Sequence, residues 1–131
     1  MATQSDLQRG FKINAAMSAF LRVVVDTSGL VGPATFNQLG IGVLQNDVSS
    51  TTYDIAVVRL WGAGTFKMTA TGLSMTAGNV VHALTSGYFG IPSVGAVTPN
   101  CTIGYLLESV SVPLTNTQSV AEVAIAFGSV V

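Results

Sequence analysis

The stretch "IGVLQNDV" at residues 41–48 returns as "IGYLLESV" at residues 103–110. Each copy opens on Ile-Gly, continues through an apolar or aromatic residue and Leu, and ends on a polar pair followed by Val. The echo widens on both sides. "VVVDTSG" (residues 23–29) is matched by "HALTSG" (residues 82–87), both closing on Thr-Ser-Gly. "IAVVRLWG" (residues 55–62) is matched by "VAIAFG" (residues 123–128), closing on Trp61-Gly62 and Phe127-Gly128. The separation grows from 58 to 62 to 66 residues along the chain, as expected of two units with different loop lengths.

A three-strand unit of this size cannot cover its own apolar face, whereas two packed face to face can. The expectation is an all-β fold, a compact β-barrel or β-sandwich built from two similar halves with an N-terminal arm. Residues 1–18 read as an N-terminal arm or edge segment. Residues 19–131 read as one β domain with the repeat at 20–62 and 80–128. One misfit stands out: Arg59 falls where Ile125 sits in the second copy, so that strand carries a bulge or its face is open to a partner.

Composition supports the strand reading. Val and Thr make up nearly a quarter of the 131 residues, and both favour strands because they are stiff at the first side-chain torsion. Gly recurs at short intervals, as turns and bulges between short strands require. In "GTFKMTATG" (residues 64–72), Phe66, Met68 and Ala70 alternate with Thr65, Lys67 and Thr69, the period-2 pattern of a half-buried strand. Strands are also expected in "AFLRVVVD", "FNQLGIGVLQ", "DIAVVRLWG", "GNVVHALTSG", "CTIGYLLESV" and "AEVAIAFG". Only "NAAMSAF" (residues 14–20) reads as a short helix.

Charged residues are 8% of the chain and the formal net charge is −1, against roughly 25% charged residues in a typical soluble domain. A small monomer has limited interior for the apolar excess, so burial between subunits is expected. The five basic residues Arg9, Lys12, Arg22, Arg59 and Lys67 are scattered, which argues against nucleic-acid binding. Cys101 is the only cysteine, so no intramolecular disulfide forms. The start "MATQSDLQRG" lacks a signal-peptide pattern. "AAMSAFLRVVV" is too short to span a membrane and contains Arg22. A soluble, reducing compartment is expected.

Catalytic patterns are weak, and no enzyme activity is expected. His82 is the only histidine. A Ser-His-Asp set with Asp26 or Asp54 as orienter lacks the usual nucleophile elbow. The six carboxylates read as turn residues, including Asp47 and Glu108 at near-equivalent places in the repeat. Neither His82 nor Cys101 has a ligand-spaced neighbour, so no metal or other cofactor is expected. "GIG" at residues 40–42 lacks the third Gly of a dinucleotide fingerprint and reads as a close backbone approach.

Two groups of residues are candidates for contact with other chains. The segment "DLQRGFKINAAM" stands outside the repeat and places apolar Leu7, Phe11 and Ile13 beside Arg9 and Lys12. It reaches out to another chain or forms a first edge strand. Arg59, Trp61, Phe66 and Phe89 are candidates for a subunit interface, where aromatic residues and Arg are enriched. The alternative is a stacking platform of Trp61, Tyr88 or Phe89 in a carbohydrate- or receptor-binding module.

The order of "GIGVLQ", "GTFKMTATGLSMTAGNVVHALTSG" and "TIGYLLES…AEVAIAFG" resembles the small decoration, or cement, proteins of tailed-phage heads. The shared features are a Gly-Val segment, an alternating strand, an Ala-Gly-Asp-x-Val turn and an Ile-Gly segment before a last strand. Here the turn is Ala77-Gly78-Asn79-Val80, with Asn79 where the family has Asp, and the segment is Ile103-Gly104-Tyr105-Leu106-Leu107. The likeness covers about residues 39–128. It implies a β subunit on the capsid exterior, assembled in the host cytoplasm, that trimerises and clamps the major capsid protein. Leu7, Arg9, Phe11, Lys12 and Ile13 are then the capsid-contact candidates.

Overall fold

A computed structural model describes residues 7–35, 38–62, 64–70, 74–90, 102–110 and 119–126. In chain order the strands are β1 (Gln8–Lys12), β2 (Arg22–Val25), β3 (Val31–Pro33), β4 (Gly42–Leu44) and β5 (Ile55–Leu60). They continue as β6 (Thr65–Ala70), β7 (Val80–Ala83), β8 (Phe89–Gly90), β9 (Thr102–Leu106) and β10 (Ser119–Ile125). A 3-10 turn, Thr85–Gly87, joins β7 to β8.

The first five strands form a sheet in the order β1-β5-β4-β2-β3, and the last five close into a barrel, β10-β6-β8-β7-β9. Started at β6, that ring reads β6-β10-β9-β7-β8, which is the first sheet's order moved on by five strands. The closures correspond too. In the barrel, β6 meets β8 in parallel through Ala70 and Phe89. In the sheet, a parallel bridge between Ile13 and Val31 draws the two edge strands together.

The equivalence extends to single residues. Gly42 faces Leu60 and Val43 faces Arg59, as Gly104 faces Ile125 and Tyr105 faces Ala124. Arg22 faces Val43, as Val80 faces Tyr105. The Met17–Val48 bridge is repeated by Met75–Val110. The turn after β2, closed by Asp26 N–H donating to Leu30 O, is repeated by Leu84 N–H donating to Tyr88 O.

The repeated Ile-Gly therefore has a backbone cause. A Cβ on Gly42 would lie well under 3.0 Å from the Arg59 carbonyl oxygen, and one on Gly104 equally close to that of Ala124. Only glycine lets β5 and β10 pass at that distance. Phe20, at φ 71°, stands where the second half has Gly78, at φ 93°. A phenylalanine in this left-handed region is uncommon. It is tied there by its N–H to Leu44 O and by its own carbonyl, which accepts from Thr69 N–H.

Several expectations are corrected. Among the described residues each half carries five strands, and the halves do not share one face-to-face core. Ile13, Val23, Val31, Leu44 and Val58 fill the first half; Phe66, Met68, Phe89, Ile103, Leu106 and Val123 fill the second. Val43 joins the second core from β4, partly buried Phe20, Leu39 and Trp61 pack against that core, and Tyr88 packs against the first. The last pairing shifts by one: Arg59 corresponds to Ala124, not Ile125. Residues 14–20 form no helix, because Asn14 and Met17 are bonded through their backbones to Val31 and Val48, and such long-range pairing overrides alanine's helix propensity. Phe127-Gly128 and Cys101 lie outside the described residues.

Candidate interaction surfaces

The outer face of β2, β4 and β5 packs against the second half, and polar side chains organise that seam. Arg22, on β2, is fully buried. One guanidinium nitrogen donates to Gln38 O. The other donates to Leu84 O at 2.6 Å, Tyr88 O at 3.1 Å and Thr35 O at 3.5 Å. Thr35 and Gln38 belong to the first half, Leu84 and Tyr88 to the second, so one planar fork holds carbonyls of both. Gly87 N–H donates to Ala34 O beside it.

At the other end of the seam, Arg59 donates to Thr65 O at 2.8 Å and lies 3.9 Å from the centre of the Phe66 ring. Trp61 packs on the same ring at 5.0 Å, and its indole N–H donates to Gly40 O. Arg–aromatic packing at a half-buried site of this kind contributes on the order of 1 kcal/mol.

Three of the four subunit-interface candidates, Arg59, Trp61 and Phe66, are thus brought together, but within one chain. Phe66 and Phe89 are buried. Phe66 packs between the barrel core and the Arg59–Trp61 pair, and Phe89 lies in the barrel core, which corrects the expectation that they meet another subunit and that Phe89 stacks on a ligand.

The N-terminal candidates lie on and around β1, an edge strand paired antiparallel with β5. Leu7 is exposed and accepts from Leu60 N–H through its carbonyl. Arg9 and Lys12 are exposed, Phe11 is half-buried, and the Arg9 guanidinium lies 5.1 Å over the Phe11 ring. Ile13 is buried in the first core, so as a contact residue it is corrected to a core residue.

Sequence reasoning missed the exposed apolar residues of the second half. Val80 is 40% exposed, Tyr105 50%, Leu107 50% and Val120 47%. Val80 and Tyr105 are register partners across β7 and β9, and Tyr105 is paired with Ala124 on β10. Period-2 alternation places Glu122 and Val120 on the same outer face. The signal was the phase opposite the core in "TIGYLLES" and "VAEVAIA", which strand alternation expects to be polar.

Two aspartates hold turns. Asp26 accepts from Asn14 Nδ2, Ser28 N–H and Leu30 N–H, and these bonds lower its pKa. Asp54 accepts from the Ser49 and Ser50 N–H groups, which lower its pKa likewise. Both carboxylates considered as orienters of His82 are thus engaged in their own turns. His82 Nδ1 is buried and accepts no hydrogen bond, and desolvation lowers the pKa of the ring. Among the described residues, no three His, Cys, Asp or Glu side chains gather as metal ligands would.

The sequence matches no protein-family model and no curated protein. Its structure is similar to the N base of head fiber gp8.5 of bacteriophage phi29, with a TM-score of 0.73 over 96% of this chain and 98% of that one, at 13% identity. At that identity the likeness is one of fold.

Proposed function

We propose that this chain is a structural protein of a tailed-phage head, a decoration or cement protein. It binds the major capsid protein on the outer surface of the assembled head and stabilises the shell against the pressure of packed DNA. It works as a homo-oligomer, a trimer, without enzymatic activity, nucleic-acid contact or membrane. It gathers in the host cytoplasm during assembly and resides on the capsid exterior.

The observation that carries this reading is the fold likeness to a phage head-fiber base over nearly the whole of both chains. The resemblance of the Ile-Gly and Ala-Gly-Asn-Val segments to decoration proteins points the same way. Leu7, exposed ahead of β1, supplies an apolar group for a capsid contact.

Physically, such a protein bridges seams between capsid subunits. A stable interface buries roughly 1,200–2,000 Å² in total, and several linked contacts turn weak single-site binding into strong collective binding. Because it binds the assembled lattice and not its fragments, saturation stabilises the lattice by linkage.

The test is addition of purified protein to expanded heads that lack it, followed by electron microscopy and heat challenge. Ordered density at the capsid surface and a higher disruption temperature are expected. Heads that stay bare, with unchanged heat resistance, rule the proposal out.

A further inference from the structure

The two halves meet in an asymmetric way. The outer β2–β4–β5 face of the first half, carrying Arg22, Val43 and Arg59, is covered by the second half. The equivalent face of the second half is β7–β9–β10, with Val80, Tyr105 and Ala124 at the same three places. That face is open: Arg22 is 0% exposed, whereas Val80 is 40% and Tyr105 50% exposed.

The surface that covers the seam from the second half has its own equivalent in the first. It consists of Thr65, Phe66 and Thr69 of β6 with Leu84, Gly87 and Tyr88 around the 3-10 turn. By strand register and turn bonding these correspond to Gln8, Arg9 and Lys12 of β1 and to Asp26, Gly29 and Leu30. All of these but the half-buried Leu30 are exposed. The chain thus presents an unfilled copy of each side of its own internal seam.

The geometry points to head-to-tail self-association: the β7–β9–β10 face of one copy receives the β1 edge and β2–β3 turn of a second copy, repeating the internal seam between chains. The polar chemistry is complementary, with its direction reversed. Inside the chain, Arg22 and Arg59 project from the sheet face to carbonyls of the partner half. Between chains, the sheet face carries Glu108 and Glu122, with Lys67 across the ladder from Glu122. The opposing surface carries Arg9 and Lys12 with Asp26. One side is net negative and the other net positive, a pattern that steers association and fixes orientation. Val80, Tyr105, Leu107 and Val120 provide the apolar centre. A contact of this kind is heterologous, closing into a ring or continuing as a chain according to its rotation.

The inference rests on the oligomeric part of the proposed function and is tested in solution without heads, so failure of head binding and failure of self-association are distinguishable. Two variants at exposed positions, Tyr105→Arg and Lys12→Glu, are compared with the parent protein by sedimentation velocity. Leu107→Arg and Arg9→Glu serve as second choices if either fails to keep its thermal midpoint. The parent protein is expected to self-associate, and each variant to do so roughly thirtyfold or more weakly. An equimolar mixture of the two variants retains one competent face of each kind. It is expected to form a one-to-one dimer and nothing larger. A parent protein that stays monomeric, a Lys12→Glu variant that associates like the parent, or a mixture that forms no dimer overturns the inference.

Discussion

Arg22 and Val80 occupy the same register place in two frameworks of the same strand order, and their fates are opposite. Arg22 lies in the seam, its guanidinium surrounded by carbonyl oxygens; Val80 faces outward beside Tyr105. The strand order, the Ile-Gly approach and the turn after the second strand of each half are common to both. Fold and contact are therefore specified separately. Backbone necessities maintain the framework, and a few side chains decide which copy of a face is filled from within the chain.

The largest test of this comparison is at Arg22. Arg22→Met removes the donors from carbonyls of both halves and is expected to destabilise the protein by roughly 3–5 kcal/mol. Val80→Ala at the equivalent place costs about 0.5 kcal/mol or less. Urea unfolding measures both, and similar losses at the two positions would break the comparison.

A second test concerns what the halves share. Gly42→Ala and Gly104→Ala each force a methyl group against a carbonyl oxygen of the passing strand. Each is expected to cost about 3 kcal/mol, and by similar amounts. A difference of more than about 2 kcal/mol would show that the two close approaches are not equivalent in energy.

The smallest effect is on pH. His82 has a folded pKa below its ordinary 6.5 because burial disfavours the charged ring. The unfolded chain then binds a proton that the folded chain does not, so stability falls as pH drops below 6.5 toward the folded value. Asp26 and Asp54 have folded pKa values below 3.8, so their stabilisation is present above 3.8 and is lost only as pH falls further. Thermal midpoints measured between pH 7.5 and 5 are expected to decline gently, and His82→Gln to flatten that decline. An unchanged slope in the variant would assign the decline elsewhere.

How much of this was legible in the sequence follows from the same division. Ile-Gly and Thr-Ser-Gly repeat because a close backbone approach and a left-handed turn residue tolerate few substitutions; Gly29 and Gly87 have φ of 81° and 82°. The duplication could therefore be read from residues 41–48 outward. The strands β1 and β6 correspond in register, but "QRGFK" and "TFKMTA" share no pattern, since one is an exposed edge and the other is covered. β3 and β8 are too short, at three and two residues, to carry a period. Each half therefore reads as three strands instead of five. The one-residue error at β5 and β10 came from matching aromatic-Gly endings. The bonds place Trp61 with Ala126 instead, each donating its backbone N–H to the Ile of its Ile-Gly pair.

The contact surfaces were less legible for a related reason. Alternation tells which residues share a face of a strand but not what lies beyond it. Phe66 and Phe89 suit a subunit interface by type and are buried within the chain. Tyr105, in the Ile-Gly segment, points out. The polar phase of β6 contains buried Thr69, because the first half covers that strand.

The Arg22 fork has a mechanical corollary. Its planar group is satisfied only when carbonyls from both sides of the molecule converge on it, so bending between the sheet and the barrel would strip a buried cation of its partners. The two lobes accordingly move as one stiff block. A load applied at β1 would be delivered across the seam to the barrel with little of it absorbed by hinging in between.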